Sequence, residues 1–521
     1  MSPYGRRQFL ADVGRGALVA AVGHGLASEL ALAPAFALEE PGELSFGKLE
    51  PLVRALQETP VEGLLPFTVG KLRSGTELRD LVAAAALANA RTFGGEDYIG
   101  FHTMMALAPA WRMALETPGA LRALPVLKVL YRNTGRIQAV GGRKSEVLRP
   151  VPATTAGAES NAESLRAAIR ERDLDAAERV FAALASGAPE EAFDDLLVSV
   201  QDATEVHRIV LPFRAWDLLG IIGKEHAHVL LRQSVHYCVR NERSPLPDRY
   251  LRSRAILPTL LDRHHLLERS PGKTAVDDAG IERLWRRFFE SSADDAAEAA
   301  AEALASGTDP GAVGEAIALA ANQLVLRDAG RPASQVSPGK PVGSVHGDSI
   351  GVHACDSANA WRGMARAGSS RNVFASLILG AYQVALDRGD RGGDFANWKP
   401  YPRDEHVAAV EKAAAAGPDA LLREAEGAIR ENDQGRAAAA IARYGALDAP
   451  APAAFDLLRR YGTSEDGALH AEKFFATASE EFASSRASFR WRWPTALARV
   501  TASQFGTRAP GHEEAVRLLE A

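Results

Sequence analysis

The chain has 521 residues, long enough for one or two large cores, and a formal charge of only −6. No long basic run is present, which argues against nucleic acid and anionic membrane surfaces as partners. Cys238 and Cys355 are the two cysteines; without a CxxC pair a thiolate-built zinc site is excluded, and a chain this long needs no disulfide staple.

The N-terminus reads MSPYGRRQFL, with Arg6 and Arg7 in the pattern of a twin-arginine export signal. A weakly apolar stretch follows, interrupted by Gly14, Gly16, Gly23 and Gly25, so a stable membrane span is not expected. Ala35-Phe36-Ala37 is a small-x-small cleavage pattern. Residues 1–37 are therefore predicted to be a signal peptide, and residues 38–521 a single all-α domain in the periplasm or secreted. The twin-arginine machinery, which exports folded proteins, suits a protein that takes up its metal before export.

Alanine-rich stretches such as 293–305 and 408–416, and the scarcity of alternating segments, predict helices throughout. The first are expected over 49–56 and 78–91, with a break at 72–77. Helical periodicity resumes over 121–131, and residues 132–163 read as a long connection. An amphipathic helix is expected over 164–184, then a Gly-Ala-Pro break and a helix over 192–200. A similar order recurs later. Ala168-Ile-Arg-Glu-Arg-Asp173 is echoed by Ala428-Ile-Arg-Glu-Asn-Asp433, and each is followed by a helix, a Pro-containing break and an Ala-Phe-Asp start, at Ala192 and at Ala454. The third region has helical stretches at 299–304 and 315–326. A Pro-, Gly- and Ser-rich insertion at 330–346 then follows, either a lid or a passive surface loop.

One pattern occurs four times. Asp97 stands five residues before His102, Asp202 before His207, Asp348 before His353, and Glu465 before His470. Each reads as the start of a helix, with the acid placed to cap it and to favour its positive end. The His separations are uneven, which disfavours a regular solenoid. The spacing instead predicts a helical bundle of about four quasi-repeated units facing one axis, with the imidazoles at a shared site. Imidazole suits Zn, Cu, Fe and Ni. One turn after each His stand Met105, Val210, Asp356 and Lys473. Lys473 is the unusual one: burial lowers a lysine pKa, and a neutral amine can act as a nucleophile or take up carbon dioxide. A Lys that snorkels outward is the alternative. A further cluster contains His226, His228 and His236.

The segment His353-Ala-Cys-Asp-Ser-Ala-Asn-Ala-Trp-Arg362 resembles the His-x-Val-Thr-x-x-x-Ala-x-Arg segment of the questin oxidase-like family. His470-Ala-Glu-Lys473 resembles that family's His-x-x-Lys segment, and His228-Val-Leu-Leu its His-x-Leu-Ile stretch; His102 falls where its first His-bearing helix does. Arg232 stands where the family has a second His, Asp356 replaces a Thr, and His207 is extra. The resemblance implies an all-helical oxygenase of polyketide-like aromatic rings, with non-haem iron held by several His and, in some members, a carboxylated Lys. Carried over, the ligands are His102, His228, His353, His470 and Lys473, whereas the repeated spacing selects His102, His207, His353 and His470. All six groups would leave no position for dioxygen, so His207 or His228 is expected to stand back.

The expected protein is thus an exported iron-dependent oxygenase acting on an organic, aromatic substrate and dioxygen, with Lys473 and Asp356 as catalytic candidates. Without a cytoplasmic NADPH pool, a dioxygenase-type reaction fits best. The alternatives are a zinc-dependent hydrolase and a non-catalytic metal-binding helical protein.

Overall fold

Four helices carry the repeated histidines: Tyr98–Glu116, Val206–Ile222, Ile350–Ala367 and His470–Ser484. Each packs on the next, and the last packs on the first, so they close a four-membered ring. Each ring helix also packs on the helix before it, namely Leu78–Phe93, Pro189–Val200, Pro310–Arg327 and Ala451–Ser464. Each packs as well on the helix after it: Leu124–Ala139, Ala227–Arg243, Ser370–Asp390 and Arg492–Gln504. The structure, a computed structural model, describes residues 42–151, 160–244, 246–390 and 399–521. The signal peptide predicted at 1–37 lies outside them. Contacts divide the chain into Met1–Leu44 and Ser45–Ala521, and the second unit holds all of the helices named above.

The described residues are all-α, with isolated bridges in place of strands. None of their helices is long and apolar enough to cross a membrane. Small residues let the layers close. A Cβ on Gly351 would lie 2.8 Å from the Val325 nitrogen, and one on Gly363 would run into the Phe213 ring of the neighbouring ring helix. Trp361 is fully buried and donates from Nε1 to Gln383 at 2.7 Å, tying the His353 helix to the helix after it.

Several local expectations change. The helix starting near residue 121 begins at Leu124 and runs to Ala139, which shortens the connection predicted at 132–163. The helix expected over 164–184 is two, Ala162–Arg170 and Leu174–Leu184. Arg172 takes a left-handed φ of 63°, and Asp173 caps the second helix through the Ala176 nitrogen. The echoed segment does the same: Asn432 has φ 56°, and Asp433 caps through the Arg436 nitrogen. The matched sequences therefore fold into matched turns. The insertion at 330–346 is pinned to its neighbours. Ser503 Oγ accepts from the Val345 nitrogen at 2.8 Å, and the Gly343 carbonyl accepts from Gln434 at 2.8 Å. Cys238 and Cys355 are both free and buried.

Candidate metal centre

The acids five residues before each His serve chiefly as anchors. Asp97 does cap, accepting from the Gly100 nitrogen at 2.8 Å, and it also binds Arg136 at 2.9 Å. The other three do not cap, contrary to expectation. Asp202 pairs with Arg170 at 2.5 Å, Asp348 with Arg331 at 2.9 Å and Lys340 at 2.8 Å, and Glu465 with Arg508 at 2.8 Å. Asp202 is taken by two nitrogens of the Arg170 fork, a charge-assisted pairing stronger than a neutral hydrogen bond. The capping role passes to Glu205 and Ser349, while the His470 helix begins after Leu469 without a side-chain cap.

His102, His207, His353 and His470 come together where the first turns of the ring helices meet. Around the set, ring centroids are separated by 4.8 Å (His102–His207), 5.7 Å (His207–His353), 5.1 Å (His353–His470) and 5.2 Å (His470–His102). The Nε2 atoms of His102 and His207 face each other at 3.2 Å, and those of His353 and His470 at 3.0 Å. Three of the opposite ring nitrogens are engaged. Nδ1 of His102 donates to the Tyr98 carbonyl at 2.6 Å, that of His470 to the Ala468 carbonyl at 3.0 Å, and that of His207 to Glu205 at 2.8 Å. In a neutral ring whose Nδ1 carries the proton, Nε2 is a bare lone pair. Two such lone pairs at 3.2 Å repel unless a cation lies between them. Burial, then the charge of Lys473, then His207, hold His102 far below the ordinary imidazole value. His353 is lowered to about 3 by burial and then by His207 and Lys473, and His470 is also well below normal.

Glu205 organises this end of the site. It accepts from the backbone nitrogens of His207 and Arg208 at 3.1 and 3.0 Å, from His207 Nδ1, and from the Tyr237 hydroxyl at 2.8 Å. Burial alone would raise its pKa, but these donors outweigh burial and hold it at about 2. Phe101 stacks on His102 with centroids 4.9 Å apart, and the exposed Tyr98 ring lies 4.5 Å from the same imidazole.

Lys473 is buried. Its Nζ faces Asp356 Oδ2 at 3.5 Å. Burial lowers the Lys473 pKa, aided by Arg214 and opposed by Asp356. Oδ2 of Asp356 has no hydrogen-bond donor among the described residues, while Oδ1 accepts from Thr477 at 3.1 Å. Thr477 also accepts from Arg214 at 3.2 Å, and Arg214 reaches Asn359 at 3.3 Å. Asn359 donates to Glu480 and Glu481 at 3.0 and 3.1 Å, and Arg112 and Arg362 pair with those two glutamates. The ring interior is thus polar and charged for several turns beneath the imidazoles.

His228 does not join them. It sits in the first turn of Ala227–Arg243, its ring 6.0 Å from Phe181, and burial and then Arg232 lower its pKa to about 4. That helix lies outside the four-membered ring and packs on Leu174–Leu184, where Phe181 meets His228. Of His207 and His228, the structure brings His207 to the other three imidazoles and places His228 against Phe181. Among the described residues no group of three or more His, Cys, Asp or Glu side chains already stands in metal-holding geometry; the imidazoles meet as two close pairs. The donor chemistry nonetheless fits a metal. Two ligands at roughly 2.1 Å from one ion, 90–109° apart, lie roughly 3.0–3.4 Å from each other.

Glu205, Tyr237, Arg214 and Thr477 were not foreseen. Arg214 and Thr477 carried a signal, since each stands seven residues, two helical turns, after a repeated His. No family model, curated protein or solved structure matches the chain.

Proposed function

We propose that the protein is a non-haem metal enzyme with iron as its metal and oxygenation of an organic, aromatic substrate as its reaction. The observation that carries the reading is the pair of facing Nε2 atoms, 3.2 and 3.0 Å apart, with the partner nitrogens of His102, His207 and His470 already committed as donors. His102, His207, His353 and His470 would hold the ion. The side chains would have to turn to bring the two pairs onto one point. Neutral nitrogen donors suit iron, zinc, copper and nickel, and the choice of iron and of oxygenation rests on the family resemblance. When bound, iron would supply the binding and activation of dioxygen.

The protein's own groups have separate tasks in this reading. Glu205 orients His207 and keeps its proton on Nδ1, the usual work of a carboxylate behind a ligating His. Phe101 and Tyr98 shield His102. Lys473, with its basicity lowered by burial, is the group to be carboxylated and so become an anionic donor; Asp356 is placed to take the proton that carboxylation releases. The repeated packing of a helix before and after each ring helix supports four quasi-repeated units, each contributing one His. Export through the twin-arginine route, with cleavage after Ala37, completes the reading. Mass spectrometry of the exported protein should show a start near Leu38, and full-length protein confined to the cytoplasm would contradict this.

The test of the reaction is dioxygen uptake by the iron-loaded protein across a panel of phenolic polycyclic compounds. Substrate-dependent uptake is expected. Ester or amide hydrolysis by the zinc-loaded protein, with no uptake by the iron form, would replace this reading with the hydrolase. Metal binding with neither activity would leave a metal-carrying helical protein.

A further inference from the structure

A cavity of about 580 Å³ lies against Ala451–Ser464 and is lined by none of the four imidazoles; its volume is within the size range of small-molecule sites. Its floor is apolar, from Leu121, Leu124, Pro125 and Val516. Its lining also carries four guanidinium groups, of Arg430, Arg459, Arg460 and Arg508, and the carboxylates of Glu426 and Asp456. Three are held in place by carboxylates: Arg430 by Glu426 at 2.9 Å, Arg459 by Asp456 at 2.8 Å, and Arg508 by Glu465 at 2.8 Å. Arg460 is different. Its charge partner is Glu426 at 3.8 Å, beyond hydrogen bonding, and that carboxylate already accepts from Arg430 and from the Tyr461 hydroxyl at 3.0 Å. His512 lines the same cavity, and its buried Nδ1 has no partner among the described residues. Burial, then Arg508 and Lys128, lower the His512 pKa, which favours its neutral form.

We propose that this cavity binds a small amphipathic anion, an apolar body ending in a carboxylate or sulfonate. The apolar part would cover Leu121, Leu124 and Val516, the anionic head would pair with Arg460, and Nδ1 of His512 would gain a polar partner. An oxyanion matches the planar donor fork of a guanidinium, and an apolar floor supplies most of the affinity. A polar anion would leave that floor wet, and a cationic amphiphile would face the Arg460 guanidinium, which has no close carboxylate to offset it. The inference does not depend on the metal reading.

The test uses the full chain, with 1-anilinonaphthalene-8-sulfonate as a fluorescent probe. Saturable binding at one site is expected, reversed by dodecanoate and not by dodecyltrimethylammonium at the same concentration. Arg460→Glu should weaken probe binding at least tenfold, and Val516→Trp, which fills the floor, should do likewise with helix content unchanged. If the first variant does not fold, the second decides. Absence of saturable binding, equal displacement by the cationic amphiphile, or affinities within twofold of the parent in the folded variants would overturn the proposal.

Discussion

Removing the Glu205 carboxylate separates a structural role from a metal-supporting one. In Glu205→Ala the His207 and Arg208 nitrogens lose their cap, and the Tyr237 hydroxyl and His207 Nδ1 lose their acceptor. Loss of an N-cap costs about 1 kcal/mol, and a buried polar group left without a partner costs about 1–3 kcal/mol. With one cap and two such groups affected, the metal-free variant should therefore lose about 3–7 kcal/mol. Glu205→Gln keeps one oxygen for the helix amides, so it should lose less stability. It cannot supply an anionic acceptor behind His207, however, and outer-sphere partners of ligating histidines typically change metal affinity by about 10–100-fold. Urea unfolding of the metal-free proteins gives the first quantity, and competition with a chelator gives the second. A normal metal affinity in Glu205→Gln, alongside a destabilised Glu205→Ala, would show that Glu205 is a helix cap and nothing more.

Lys473→Ala should lose metal and activity, with partial recovery in small carboxylates, whereas Lys473→Arg should not recover because guanidinium stays charged and cannot be carboxylated; full occupancy and activity in the Ala variant would assign Lys473 to its Asp356 pair alone. His236 is held between Glu96 at 2.9 Å and Glu178 at 2.5 Å, and although burial opposes it, the two carboxylates raise its pKa above the ordinary value. Its contribution to stability is therefore complete below about pH 6.5, the unfolded value, and is lost as pH rises through the higher folded value. The carboxylates are shifted downward, so the pairing also fades in acid as pH falls through their depressed values. Urea midpoints of the parent and His236→Gln should differ most near pH 6 and converge toward pH 9; a constant difference would refute the ion pairing.

The all-α class and the convergence of four histidines were legible because helical periodicity and the five-residue spacing from acid to His are local signals. The fate of the acids was not, because their partners Arg136, Arg170, Arg331 and Arg508 are brought to them by tertiary packing. In the run Asp202-Ala-Thr-Glu205 two acids compete to cap one helix, and Arg170 decides the outcome by taking Asp202. His228 illustrates the limit of motif matching. It lies on a helix, but only the packing of that helix outside the ring tells that it does not join the other imidazoles. The charged interior was half visible: Arg214 and Thr477 share the helical phase of His207 and His470, yet sequence phase alone does not show that they meet.

The most direct test of the central claim is metal content by mass spectrometry on the purified full chain and on a His353→Ala, His470→Ala variant, with X-ray absorption at the metal edge. About one iron per chain in a nitrogen-rich shell is expected, bound by the parent and lost from the folded variant. A parent that takes up no metal, or a variant that keeps its full complement, would contradict it.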